Sequence, residues 1–192
     1  HYPRPAYARI VEPFAGAAAY SLHYPDLSVV LCDLDPIIAG IWDYLIHVGE
    51  DEIGRLPNIV EHVDELGPVP QEARWLVGFW LGRCRSAPRL TVGSWMVSES
   101  DKRPGCFWGT AAKDRIASQL KHIRHWRVRC ADYRDVSGDG PATWFIDPPF
   151  RGKAGRRYRK GSRSLDFADL GMWCRERQGQ ILVCEQSGAD WL

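Results

Sequence analysis

Short, nearly unbroken apolar runs recur along this chain, and most of them end in an acid. "ARIVEP" (residues 8–13) reads as a first strand and "LSVVLCDLDP" (27–36) as a second. Runs that are apolar at consecutive positions fit parallel strands covered on both faces. "WRVRCADY" (126–133), "TWFID" (143–147) and "ILVCE" (181–185) repeat the pattern. Between them the period changes. In "DPIIAGIWDYLIHVG" the apolar positions are Ile37, Ile38, Ile41, Trp42, Leu45 and Ile46, a helical stripe. "QEARWLVGFWLGRC" (71–84) predicts a second helix. "TAAKDRIASQLKHIRHW" (110–126) predicts another, with Thr110 as its cap and Ile116, Leu120 and Ile123 on one face. "DFADLGMWCRERQ" (166–178) adds one more, closed by Gly179. After the first strand, Gly16 punctuates a turn, and the alanines of "FAGAAAYSLHY" (14–24) are expected to open a helix.

Strands alternating with helices predict an α/β fold, a mostly parallel sheet with right-handed crossovers and helices on both faces. The stretch 85–109 breaks this rhythm, being rich in Gly, Pro and Ser, with Trp95 and Trp108 in exposed-looking positions. The expectation is one domain over residues 1–192, with 50–125 a helical and loop insertion; both termini look trimmed.

Composition narrows the partners. The formal net charge is +1, so nucleic-acid affinity has to come from local clusters. Two exist: "KHIRHWRVR" (121–129) and "RGKAGRRYRKGSR" (151–163), the latter with seven Lys and Arg in thirteen residues. The six cysteines form no C-x-x-C pair, and Cys32, Cys130 and Cys184 lie in apolar runs. That usage suits a reduced, cytoplasmic protein with small buried thiols. No run approaches the ~20 apolar residues of a membrane span. His122 and His125 lack acidic or thiol neighbours and read as a solvated face, so no metal is expected.

The acids carry the chemistry. In an open parallel sheet, ligands bind outside the carboxyl ends of the strands, where strand order reverses. Glu12 and Gly16 follow the first strand, Asp33 the second, Asp132 the third and Asp147 the fourth. A carboxylate ending a second strand suits ribose hydroxyls, and a glycine lets backbone approach a ligand. The fingerprint G-x-G-x-x-G is absent, which favours a nucleoside-like cofactor without a pyrophosphate. Asp35 is better placed than Asp33 to cap the helix that starts at Pro36.

"VEPFAG", "LCDLDP", "CADY" and "FIDPPF", in that order, resemble the S-adenosylmethionine-dependent amino-methyltransferases. More narrowly they resemble the DNA adenine methyltransferases of the Dam (D12) class, found in bacteria and phages, and "CEQSGADWL" is similar to the end of the strand region in phage members. The resemblance implies a Rossmann-like methyltransferase fold whose insertion recognises the target. It implies that S-adenosylmethionine is held by Glu12, Pro13, Phe14, Ala15, Gly16, Asp33, Asp132 and Tyr133. Asp147, Pro148, Pro149 and Phe150 would form the catalytic tetrad. Double-stranded DNA would be the partner, in a bacterial cell or phage-infected host, with restriction–modification one setting for such chemistry. Arg151, Lys153, Arg156, Arg157, Arg159 and Lys160 follow the tetrad directly and are the expected phosphate contacts. Arg83, Arg85 and Arg89 lie where sequence reading is expected. The chain departs from the family pattern at Ala18, where a second glycine is common, and it lacks the "GGK" element before the first strand. An RNA or cytosine amino-methyltransferase, or a weakly active DNA-binding relic, are the alternatives.

Overall fold

The computed structural model describes residues 2–82, 86–93, 107–137, 140–153 and 155–192. They divide into two compact units, His1–Ala39 with His125–Leu192, and Gly40–Arg124.

The first unit is an α/β structure built on a five-stranded, wholly parallel sheet. Its strands are β1 (Arg9–Glu12), β2 (Ser28–Asp33), β3 (Arg127–Cys130), β4 (Ala142–Ile146) and β5 (Gly179–Val183), in the spatial order β3-β2-β1-β4-β5. The unbroken apolar runs of β1, β2 and β4 are buried on both faces, as the sequence pattern requires. One face carries Val11, Val30, Cys32, Trp144 and Ile146, which pack with Leu170 and Trp173 of helix α5 (Phe167–Arg175). On the other face Ile10, Val29, Leu31 and Phe145 are buried, and Tyr20 stacks on Phe145 at 4.4 Å between ring centroids. Asp166 caps α5 by accepting the Ala168 and Asp169 amides.

The helix expected over residues 14–24 does not form; the segment holds only a 3-10 turn, Ser21–His23. Gly16 and Ala18 both take a φ of +46°, and a left-handed residue ends any right-handed helix. Cys130, expected in a buried strand, is exposed, because β3 is an edge strand with arginines on either side of Val128. Cys32, Cys174 and Cys184 are buried free thiols. Cys84 and Cys106 lie outside the described residues.

Helix α1 (Pro36–His47) starts in the first unit and runs into the second, with Ile41, Trp42, Leu45 and Ile46 buried. Asp35 caps it through the Ile37 amide at 3.0 Å, with Pro36 at the first helical position. The second unit adds α2 (Glu50–Arg55), α3 (Gln71–Leu81) and α4 (Thr110–Ile123). Thr110 is not a cap; Gly109 precedes the helix and no side chain closes its start. Trp108 is buried, its indole N–H donating to the Pro57 carbonyl at 2.8 Å, while Trp95 lies outside the described residues. Several cations of this unit serve its own helix ends. Lys113 donates to the Gly54 and Leu56 carbonyls at the end of α2, and Arg124 to those of Ile46 and Val48 at the end of α1. Among the described residues no helix is long and apolar enough to cross a membrane.

Ala18 sets two opposed effects against each other. Its left-handed backbone costs about 1–2 kcal/mol, and its fully buried methyl contributes about 0.8 kcal/mol. Glycine would relieve the first, remove the second and loosen the unfolded chain by about 0.4–1 kcal/mol. Ala18→Gly should therefore unfold in denaturant within about 1 kcal/mol of the parent, whereas Ala18→Val, branched at Cβ, should cost more than about 2 kcal/mol.

Candidate active site

The order of the strands reverses at β1. The chain moves outward from it to β2 and β3 on one side, then returns to lay β4 against its other edge. Ile10 pairs with Thr143 and Val11 with Trp144, in parallel register. The segments after β1 and β4 therefore leave the sheet side by side at its carboxyl edge, and parallel neighbours on either side splay apart there. Glu12 and Asp147 stand at this edge.

From β1 the loop turns toward β2. The Ala15 amide donates to the Cys32 carbonyl at 2.9 Å and the Gly16 amide to Asp33 Oδ2 at 3.0 Å. The other Asp33 oxygen accepts the Asp35 amide at 2.8 Å. Burial pushes the Asp33 pKa up, and these two amides pull against it. Asp33 thus fixes the loop while Asp35 caps α1, dividing the two tasks. Apart from its chain neighbours, no atom lies within 4 Å of a Cβ built on Gly16, so glycine is favoured there by its positive φ and not by crowding.

After β3, Asp132 accepts the Arg134 amide at 3.0 Å and caps the 3-10 turn Tyr133–Asp135. The Tyr133 ring is 3% exposed, packed against Phe14 and Trp173, and its hydroxyl donates to Asp169 at 2.5 Å. The Tyr133 ring is thus packed inside the unit, while the Asp132 carboxylate is partly exposed, 3.7 Å from the Arg134 guanidinium.

At the end of β4, Asp147 is exposed, Pro148 buried, and Pro149 and Phe150 half-buried. Among the described residues the Asp147 carboxylate accepts no hydrogen bond. Partial removal from water raises its pKa, and the Glu185 charge adds to the rise. Glu12 is 1% exposed and accepts the Ser21 amide at 2.8 Å. Burial lifts its pKa to about 7, offset in part by hydrogen bonding from Ser21 and reinforced by the Asp147 charge. One carboxylate without a hydrogen-bond partner among these residues, beside two other acids, is an arrangement that accepts hydrogen bonds and stabilises developing positive charge.

The basic run that follows is anchored to the tetrad. A Cβ on Gly155 would sit 2.0 Å from the Phe150 carbonyl oxygen, so backbone 155 lies directly on backbone 150. Arg159 reaches Asp35 at 3.0 Å, and the Arg151 guanidinium pairs with Asp190 while its amide donates to Glu185 at 3.1 Å. The segment leaving β4 is thereby tied to the end of β2, with β1 between them. All six expected phosphate contacts are exposed, but Arg151 and Arg159 are held by these carboxylates. Lys153, Arg156, Arg157 and Lys160 make no ion pair among the described residues. Sequence reasoning missed the Arg159–Asp35 and Arg151–Asp190 pairs, since nothing local marks contacts 124 and 39 residues apart. Arg83 and Arg85 fall outside the described residues; Arg89 is exposed.

No protein-family model matches the chain, and a search of curated proteins finds no match. The functional reading therefore rests on the residues themselves.

Glu12 gives a pH signature. Its pKa is raised on folding, so the folded chain holds the proton more tightly, and stability falls as pH rises from the ordinary carboxylate range through about 7. Glu12→Gln keeps an acceptor for the Ser21 amide and removes the ionisation. Relative to the parent, the variant should gain stability progressively between about pH 5 and about pH 8, read by denaturant midpoints. A pH-independent difference would show that Glu12 does not titrate on that scale.

Proposed function

We propose that the chain is an S-adenosylmethionine-dependent methyltransferase acting on the exocyclic amino group of adenine in DNA. On this reading the first unit is a Rossmann-like methyltransferase fold, and residues 50–125, most of them in the second unit, hold the target-recognition region. The observation that carries the proposal is the pairing of β1 with β4. It brings "VEPFAG" and "DPPF", motifs far apart in the sequence, to one crevice at the carboxyl edge of a parallel sheet.

The residues fit the cofactor in their chemistry. Asp33 accepts the Gly16 amide of the loop after β1 and the Asp35 amide of its own loop, and Asp132 accepts the Arg134 amide on one oxygen, yet a carboxylate oxygen keeps a second lone pair for a hydroxyl or amino donor. The uncrowded backbone at Gly16 suits close approach by a ligand. Glu12, Pro13, Phe14, Ala15 and Gly16 would form the cradle, with Asp33 on the ribose and Asp132 and the Tyr133 turn beside the adenine. When bound, S-adenosylmethionine supplies an electrophilic methyl group.

The amino nitrogen of adenine is a poor nucleophile because its lone pair is delocalised into the ring. Asp147 accepts one amino hydrogen and the Pro148 carbonyl a second, which turns the lone pair out of the ring plane. The Asp147 carboxylate also offsets the positive charge that develops on that nitrogen. Two prolines fix φ through the turn, so both acceptors are in place before the base arrives. Half-buried Phe150 offers a stacking surface for a base taken out of the duplex, worth about 1–3 kcal/mol. No tuned general base is needed, since the methylated, cationic amine loses its proton readily.

The test is incubation with methyl-labelled S-adenosylmethionine and either duplex DNA or RNA, followed by nucleoside analysis. Label should appear as N6-methyladenine in DNA alone; label in RNA or on cytosine would overturn the substrate assignment. Asp147→Ala should lower transfer at least ~100-fold while cofactor binding, followed by calorimetry, stays near the parent value.

A further inference from the structure

A recess of about 740 Å³ lies beside the basic run, entirely within the first unit. It is open to solvent, with Arg151, Arg156, Arg163, Met172 and Arg175 all exposed. Four guanidinium-bearing residues line it: Arg151, Arg156, Arg163 and Arg175. They come from three separate places, the segment after the tetrad, the approach to α5 and the end of α5. The lining also has an apolar part, which includes half-buried Leu165 and Phe167 and exposed Met172. Two carboxylates share the lining, and both are engaged. Asp190 pairs with Arg151, and Asp166 accepts the Ala168 and Asp169 amides at the start of α5. Arg156, Arg163 and Arg175 make no ion pair among the described residues.

Like charges gathered in a concave, partly apolar wall repel one another, and such a wall focuses their field on whatever enters. The guanidinium fork matches the oxygens of a phosphate in bidentate fashion. A phosphate with an apolar or aromatic attachment suits both kinds of lining residue, the guanidinium forks and the apolar side chains. Arg151 links the recess to the tetrad, since the residue before it is Phe150 and its own side chain is fixed by Asp190.

We propose that this recess binds a phosphodiester unit of the nucleic-acid strand, with Arg156, Arg163 and Arg175 on the phosphate and the adjoining sugar and base over Leu165, Phe167 and Met172. The proposal deepens the reading of the chain as a nucleic-acid methyltransferase and rests on it for the identity of the ligand. It adds Arg163 and Arg175 to the contact surface, and it separates both from Arg151 and Arg159, whose guanidiniums serve the fold.

The test is a salt titration of binding to a fluorescently labelled duplex, without any methyl-transfer step, comparing the parent chain with R163A/R175A and R163K/R175K. Every phosphate left without its cation should flatten the plot of log affinity against log salt by about 0.9, so the alanine pair should flatten it by roughly 1–2 and bind about ten-fold or more weakly at low salt. The lysine pair should keep most of the slope while giving up part of the affinity, because charge remains and the fork does not. Circular dichroism and thermal unfolding confirm that each variant is folded. A parental slope in folded R163A/R175A overturns the proposal. So does competition by inorganic phosphate or adenosine monophosphate that R163A/R175A abolishes while duplex binding is unchanged, since the recess would then serve a free phosphate ligand. A flattened slope in a chain that transfers no methyl group would uphold the recess and overturn the methyltransferase reading, so the two failures are distinguishable.

Discussion

Two neighbouring parallel strands, β1 and β4, set the geometry on which everything at the candidate site depends. Their ladder is short, with Ile10 and Val11 opposite Thr143 and Trp144. It is nonetheless where strand order reverses, so the connections from the two strands diverge instead of covering each other. Both faces of this central pair are packed, by Trp173 and Leu170 on one side and by Tyr20 on the other. A register shift by one residue would exchange the faces of Trp144 and Phe145, which pack against Trp173 and Tyr20 respectively, so side-chain fit on the two faces holds the register and with it the height of Asp147 relative to Glu12.

A second constraint follows from the first. Burying Glu12 at the heart of this edge removes a carboxylate from water, and the Ser21 amide answers only part of that cost. The loop between them must therefore bend so that Ser21 returns to the strand it left nine residues earlier. Two left-handed residues, Gly16 and Ala18, accomplish the bend, and Gly16 at the same time delivers its amide to Asp33. The loop is shaped by three backbone demands at once: a buried acid, a neighbouring strand end and a reversal of chain direction.

Those demands explain what the sequence revealed and what it concealed. The central strands β1, β2 and β4 were legible because burial on both faces leaves few polar positions inside them, and the acids at their ends were legible by contrast. The cap at Asp35 was legible because capping is local, an acid followed by Pro36. Thr110 was misleading because the same local logic ignores where the preceding glycine directs the chain. The alanines of residues 15–19 favour helix by propensity, yet tertiary demands at Glu12 and Asp33 overrode that preference. Exposed-looking tryptophan was equally deceptive at Trp108, whose indole is satisfied by a carbonyl 51 residues away. Which carboxylate an arginine finds depends on a long, flexible side chain in the finished fold, and no sequence pattern encodes that.

The basic run shows why that last point matters for function. As sequence it is a uniform cluster, and a cluster invites the reading that each cation meets a phosphate. In the fold, the cluster resolves into members with different tasks. Arg151 and Arg159 each meet a carboxylate from elsewhere in the unit, and Gly155 lets the backbone lie on Phe150. These three hold the segment in place. A surface ion pair contributes at most about 1 kcal/mol by itself, but Asp35 is largely buried and its partner cannot be removed without leaving that acid unmatched. Lys153, Arg156, Arg157 and Lys160, on the same anchored segment, are exposed and make no ion pair among the described residues. The same residues that look interchangeable in the sequence are thus separated by the fold into those paired with a carboxylate and those without an ion pair among the described residues.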